Sequence, residues 1–228
     1  MVSSNHTKAS VVKQRTPSKS AAALSRQVIL ETAARLFRQE GYAATSLRAI
    51  AQACDMKAGS LYYHFESKDQ IVSEVLSIGV QRVFDAVKTA VDALPQDAQL
   101  DVTLQCAIEA HLGALLHAHD FTSANIRIFG QVPDKVRASH KSLRKAYEQY
   151  WLSLLMVLQK RGEISTHVDL QRTVFFLFGA MNWTTEWYDQ KKSGIAALAA
   201  DLTGMVSHGL RPHLSVQAVR PKSKQGKQ

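Results

Sequence analysis

Between Thr45 and Lys68, in TSLRAIAQACDMKAGSLYYHFESK, the chain carries two short apolar patterns separated by a break. Leu47, Ile50, Ala51 and Cys54 fall at i, i+3, i+4 and i+7, one face of a helix. Thr45 precedes that face and is the expected N-cap. Asp55-Met56 interrupts the pattern. A second short helix over about Lys57 to His64 buries Leu61 and exposes Lys57, Ser60, Tyr62, Tyr63 and His64. Gly59 is a poor helix former. It fits a place where the backbone lies close to something else, a phosphate among the candidates. Two short helices joined by a tight turn are the helix-turn-helix pattern, whose second helix enters the DNA major groove.

The flanking periodicity extends this unit. Ile29, Ala33, Leu36 and Phe37 form one face of a helix over Arg26 to Glu40, with Ser25 as its cap and Gly41 as its stop. Ser67-Lys68-Asp69-Gln70 fits a capping box that opens a long helix to about Leu94. Further helices are expected over Leu100 to about His119, Thr122 to Gln131, Asp134 to Arg161, Leu170 to about Tyr188, and Ile195 to Leu210. Pro133 opens the third of these and Gly162 closes it. Asp169 caps the fourth. No strand pattern and no internal repeat is present, so the fold class is all-α, a helix-turn-helix unit followed by a helical domain.

The stretch RLFRQEGYAATSLRAIAQACDMKAGSLYYHFESKDQIVSEVL resembles the amino-terminal domain of the tetracycline-repressor (TetR) family of bacterial regulators. Phe37, Gly41, Tyr42, Thr45, Ile50, Ala51, Gly59, the run Leu61 to Phe65, and Lys68 carry the likeness. Ile71 stands where the family pattern has leucine. The resemblance implies a DNA-binding set of Thr45, Arg48, Lys57, Ala58, Gly59, Ser60, Tyr62, Tyr63, His64 and Lys68, with Thr45 and Lys68 at helix starts against the phosphate backbone. It also implies a homodimer on a pseudo-palindromic operator and a small-molecule effector in the helical domain.

Charge divides the chain further. Residues 1–24 carry +4 and residues 211–228 carry +5, which accounts for the whole net charge of +9 and leaves the body between them neutral. The expected division is a disordered basic tail (1–24), a helix-turn-helix domain (25–70), a ligand-binding and dimerisation domain (71–212) and a second basic tail (213–228). Either tail follows DNA phosphates non-specifically or is simply solvated. The amino-terminal stretch lacks an apolar signal-peptide core, and no apolar run approaches the ~18 residues of a membrane span. Two cysteines 52 residues apart suggest neither a disulfide framework nor a zinc cluster, and Cys54 falls on a buried helix face. The expected compartment is the bacterial cytoplasm, with the chain on the nucleoid when bound to DNA.

Two features of the second domain bear on chemistry. TVFFLFGAMNWTTEWYDQ is apolar nearly all round, which implies burial on every side. A partner subunit supplies the second buried face; an ordinary monomer core is the alternative. The resemblance implies that the last two helices pair with those of a second subunit. Trp183 and Trp187 share a face at i, i+4. With Asn182, Arg127, Gln131, Arg144, Tyr147 and Trp151 they form the expected pocket for an acidic ligand with an apolar tail, unless they are plain core. Asn-Trp-x-x-x-Trp-Tyr resembles acyl-CoA-responsive members of the family.

His111, His117 and His119 lie near one another, but 117 and 119 point apart on a helix, so no metal site is expected. No nucleophile elbow, phosphate loop or HExxH is present and no cofactor is implied. The expected function is a ligand-responsive transcription regulator, a repressor released by its effector. The alternatives are an activator, a helical-domain enzyme acting on an acyl thioester, or a helix-turn-helix protein that only scaffolds other proteins.

Overall fold

The computed structural model describes residues 19–117 and 120–212. Within them lie α1 (Lys19–Glu40), α2 (Leu47–Ala53), α3 (Ala58–His64), α4 (Lys68–Asp92), α5 (Leu100–Leu116), α6 (Asp120–Ile128), α7 (Asp134–Ser139), α8 (Lys141–Lys160), α9 (Leu170–Trp187) and α10 (Ile195–Leu210). No strand occurs among the described residues. Residues 1–18 and 213–228, which hold most of both basic tails, lie outside them, as does His119.

The amino-terminal unit closes on Ile29, Phe37, Ile50, Leu61, Phe65, Ile71 and Leu76, all fully or almost fully buried. Each such side chain contributes roughly 1.5–3 kcal/mol of burial. Leu61 and Phe65, four apart, pin α3 to this core and fix which way its other side chains face. Gly41 ends α1 at φ +87°, in the left-handed region that glycine enters freely, and its N–H closes on Phe37 O at 3.0 Å. The turn between α2 and α3 uses Asp55 at φ 53°, which aspartate tolerates better than most residues.

Several local expectations shift. α1 begins at Lys19, so Ser25 lies inside it and does not cap it. Ser46, not Thr45, caps α2: its Oγ accepts the Ala49 N–H at 3.1 Å. Thr45 is fully buried and its hydroxyl donates to Gly41 O at 2.8 Å. Ser67 does cap α4, accepting from Gln70 N at 3.2 Å, but the Gln70 side chain reaches past it to Glu66 N at 2.9 Å. The expected long helix after Pro133 is two helices, α7 and α8, broken at His140. His140 is buried against α4, its ring nitrogens 3.2 Å from Ser73 Oγ and 3.3 Å from Ser77 Oγ. Asp169 caps α9 as expected, accepting from Arg172 N at 3.0 Å.

The apolar core does not divide at residue 70. The first half of α4, with Ile71, Val72, Val75 and Leu76, and most of α6, with Phe121, Ala124 and Ile128, belong to the same cluster as α1 to α3. The second cluster joins Val83 and Val87 of α4 to α5, α8, α9 and α10. α4 therefore runs through both cores, and α6 packs directly on α1 and α4.

Candidate functional site

α3 presents an uncovered face. Tyr62 is 55% and Tyr63 69% exposed, and Lys57, Ala58, Gly59 and Ser60 are exposed beside them. His64 is half-buried, edge-on to Tyr63 with ring centres 5.3 Å apart. A Cβ at Gly59 would meet no protein atom within 4 Å, so the protein's own packing gives no reason for glycine there. Arg48 of α2 is exposed on the same unit. The arrangement offers hydroxyl, imidazole and ammonium groups to an external surface from a helix locked by Leu61 and Phe65.

Two residues of the expected DNA set are differently employed. The buried Thr45 hydroxyl is taken by Gly41 O, which leaves only its backbone for an outside partner. Lys68 Nζ donates to Tyr42 O at 2.7 Å and Thr45 O at 2.9 Å, and lies 3.9 Å from the centre of the Tyr42 ring. Partial burial lowers the Lys68 pKa, with Asp69 opposing. Tyr42 in turn donates to Asp69 Oδ1 at 2.7 Å, and burial together with that bond pushes its pKa up to about 12.

In the helical domain a cavity of about 430 Å³ opens between α4, α5, α6, α8 and α9. This is within the usual size of small-molecule sites. Gly79, Val80 and Val83 of α4 form one wall, and Leu115, Ile126, Phe129 and Phe178 supply further apolar lining. Arg144, Tyr147 and Asn182, three of the expected ligand residues, line it. The other five do not. Trp151 is fully buried among Tyr147, His111 and Phe178. Arg127 opens into a separate cleft with Arg38 and Glu186. Gln131 bridges α6 to the head: its Oε1 accepts Tyr42 N at 3.0 Å and its Nε2 donates to Arg127 O at 3.1 Å. Trp183 (65% exposed) and Trp187 (56%) face outward, on the far side of α9 from the cavity residue Phe178.

Two cavity residues escaped the sequence reading. His111 is buried with Nδ1 2.8 Å from Tyr147 Oη and Nε2 3.3 Å from Asn182 Oδ1. Burial pushes its pKa down to about 4, the Asn182 bond only partly opposing, so the imidazole is neutral near pH 7. Burial likewise raises the Tyr147 pKa. Asn125 accepts from Arg144 Nη1 at 3.0 Å and donates to Leu76 O on α4 at 2.8 Å. Arg144 is exposed taken as a whole residue, yet its guanidinium stands 4.0 Å from the Phe129 ring centre, and desolvation lowers its pKa. The available signal for His111 was its place on the stripe Leu104, Ile108, Leu112, Leu115: a polar side chain on a buried face requires partners.

Among the described residues no group of three or more His, Cys, Asp or Glu side chains is placed to hold a metal. Both cysteines are free and partly buried. No helix among the described residues is long and apolar enough to cross a membrane.

Comparison with known proteins agrees with this arrangement. Residues 29–75 match the family model "Bacterial regulatory proteins, tetR family", and residues 100–210 match "Tetracyclin repressor-like, C-terminal domain". The chain is 40% identical over 177 residues to the "Probable acrEF/envCD operon repressor" of Escherichia coli (strain K12), covering 72% of this chain and 76% of that protein. It is 25% identical over 168 residues to the "HTH-type transcriptional repressor KstR2" of Rhodococcus jostii (strain RHA1), covering 72% of this chain and 79% of that one. Among solved structures, AibR "in complex with isovaleryl coenzyme A and operator DNA" shares the fold at a TM-score of 0.68 and 24% identity, covering 83% of this chain and 100% of that chain. These relatives are regulators, so the helical-domain enzyme is set aside. From the exposed face of α3 to the last helix of the body, the chain belongs to the tetracycline-repressor family of DNA-binding transcription regulators.

Proposed function

We propose that the chain represses transcription as a homodimer and leaves its operator when an acidic effector with an apolar body enters the cavity. The observation that carries this reading is the position of α4. It follows α3 after a short break at Phe65 to Ser67, shares the core of the head, and then forms a wall of the cavity through Gly79, Val80 and Val83. An effector that binds differently to two positions of α4 shifts the head by that differential affinity. A dimer reads half-sites roughly 34–36 Å apart, so a small splay removes one α3 from its groove. The residues offered to DNA are Arg48, Lys57, Ala58, Gly59, Ser60, Tyr62, Tyr63 and His64, with Thr45 and Lys68 supporting them from the head's interior.

Support for the dimer comes from α9 and α10. Phe176 is 75% exposed, and Gly179, Ala180, Trp183 and Trp187 continue one outward stripe of α9; on α10, Met205 is also exposed. Such a patch on an isolated chain marks an interaction surface. The effector class includes coenzyme A thioesters, in keeping with the ligand in the AibR structure. The test is a titration of fluorescent operator DNA with the full chain, repeated with small molecules extracted from the protein as purified from its host. The reading requires two chains per duplex and release by the extract.

A further inference from the structure

The hydrogen bonds in the cavity have a single consistent direction. Asn182 Oδ1 only accepts, so the His111 Nε2 that faces it at 3.3 Å donates. A neutral imidazole then leaves Nδ1 bare, and it accepts the Tyr147 hydroxyl proton at 2.8 Å. Among the described residues no acceptor takes either hydrogen of the Asn182 carboxamide nitrogen, whose side chain bonds through Oδ1 alone. At a second place on the wall, Arg144 uses one N–H on Asn125 Oδ1 and rests on Phe129, and it forms no ion pair among the described residues. Glu148, one turn further along α8, accepts from Gln171 instead. The unused polar hydrogens thus sit at two places on a wall whose apolar part includes Val80, Val83, Leu115 and Phe178, with Glu148, held by Gln171, as its one acidic residue.

We infer that the effector carries an acceptor at each of two positions: an uncharged carbonyl oxygen held by the Asn182 carboxamide, and an anion held by Arg144. This rests on the cavity being the effector site. An anion at Arg144 competes with Asn125 Oδ1 for the guanidinium. Asn125 also holds Leu76 O of α4, so occupancy at Arg144 is felt on the helix that leads to the head. An anion of this kind belongs either to a free carboxylate or to the phosphates of a coenzyme A thioester, whose thioester supplies the carbonyl.

The test is calorimetric titration of the full chain with decanoate, 9-oxodecanoate, decan-1-ol, decyltrimethylammonium and decanoyl-coenzyme A. The expected order is 9-oxodecanoate above decanoate above decan-1-ol, with no binding of the ammonium. Arg144→Gln weakens decanoate roughly ten-fold and leaves decan-1-ol unchanged. Asn182→Leu removes only the advantage of the oxo acid, roughly three- to ten-fold. Where the leucine variant melts early, Asn182→Asp keeps an acceptor for His111 and removes the donors; its added charge meets decanoate and 9-oxodecanoate alike, so the lost advantage is read from the ratio of the two. Whichever of decanoyl-coenzyme A and 9-oxodecanoate binds more tightly identifies the source of the anion, and both results support the inference. Equal binding of decan-1-ol and decanoate, or a decanoate affinity indifferent to Arg144→Gln, overturns it while the cavity stays the effector site. Val80→Trp, which fills the cavity, separates the two levels: probe binding that survives it removes the cavity reading as well, as does failure of all five probes to bind.

Discussion

The Lys68 ammonium lies 3.9 Å from the centre of the Tyr42 ring and donates to the Tyr42 carbonyl at 2.7 Å, fastening the start of α4 to the turn ahead of α2. A second bond to Thr45 O at 2.9 Å completes the fastening. Lys68→Ala removes both bonds and the ring contact, and the partial exposure of the side chain discounts their worth to about 1–2 kcal/mol of stability. Chemical denaturation of the free protein checks this. An unchanged midpoint returns Lys68 to the role of a solvated phosphate contact.

α3 separates stability from DNA binding within seven residues. Leu61 is fully buried, so Leu61→Ala lowers stability by roughly 2–5 kcal/mol. Tyr62→Phe and His64→Ala leave the melting temperature in place and weaken operator binding by about 1 kcal/mol or more each where a well-formed hydrogen bond is lost. Melting curves and operator affinity are measured on each variant. Early melting of Tyr62→Phe, or an Leu61→Ala variant that melts normally, contradicts the orientation of the helix.

The outward stripe of α9 sets the state of association. Phe176→Glu puts a carboxylate at the head of the exposed stripe that runs on through Gly179, Trp183 and Trp187. Gly179→Glu does the same within the stripe, where an added Cβ has open space around it. Both variants are expected to be monomers by light scattering, with operator affinity lost and the single-chain fold retained. Dimers that still bind operator contradict the placement of this face between subunits.

His111 gives the body a pH dependence. The unfolded chain takes up this proton near pH 6.5 and the folded one only near 4. Above the unfolded value neither state holds it and stability is unaffected. Between the two values the unfolded state binds a proton that the folded state refuses, so stability falls as pH falls, levelling below about 4. The full difference is about 3 kcal/mol. Urea midpoints at about pH 7.5 and about pH 4.5 are compared for wild type and His111→Gln, and the variant has the smaller slope. Equal slopes remove His111 as the source.

Gly79 sits where α4 crosses α6. A Cβ there runs into the Phe121 carbonyl oxygen, with its carbon at 3.0 Å, and this is helix backbone that does not swing aside. Gly79→Ala therefore forces the helices apart at the cavity wall, at a cost of roughly 1–3 kcal/mol. Lower stability with altered effector sensitivity is expected, measured by melting and by operator release. Unchanged behaviour in both contradicts a tight crossing.

Legibility in the sequence followed how local the cause was. Leu61 and Phe65, the exposed tyrosines, the Asp169 cap and the run of Ser67 into α4 are set within a turn or two, and the sequence shows them. Thr45 and Ser46 are adjacent hydroxyls, and which one caps α2 depends on Gly41 O taking the first. The break at His140 has no proline or glycine to announce it; Ser73 and Ser77 from α4, far away in sequence, face its ring. In the cavity, Arg144, Tyr147 and Asn182 were legible as polar groups among aromatics. Trp151, Trp183 and Trp187 lie outside its lining because tertiary packing divides the faces of α8 and α9. Gln131 is outside the lining too and ties α6 to Tyr42, a relation spanning 89 residues.

The central claim is that occupancy of the cavity controls whether a pair of chains holds DNA. Native mass spectrometry of the full chain with its operator duplex, before and after addition of the small molecule retained from the host, addresses it directly. The account predicts two chains per duplex without the molecule, and, with it, two ligand-bearing chains free of DNA. A ligand-bearing dimer still on the duplex at unchanged affinity, or a single chain per duplex, contradicts it.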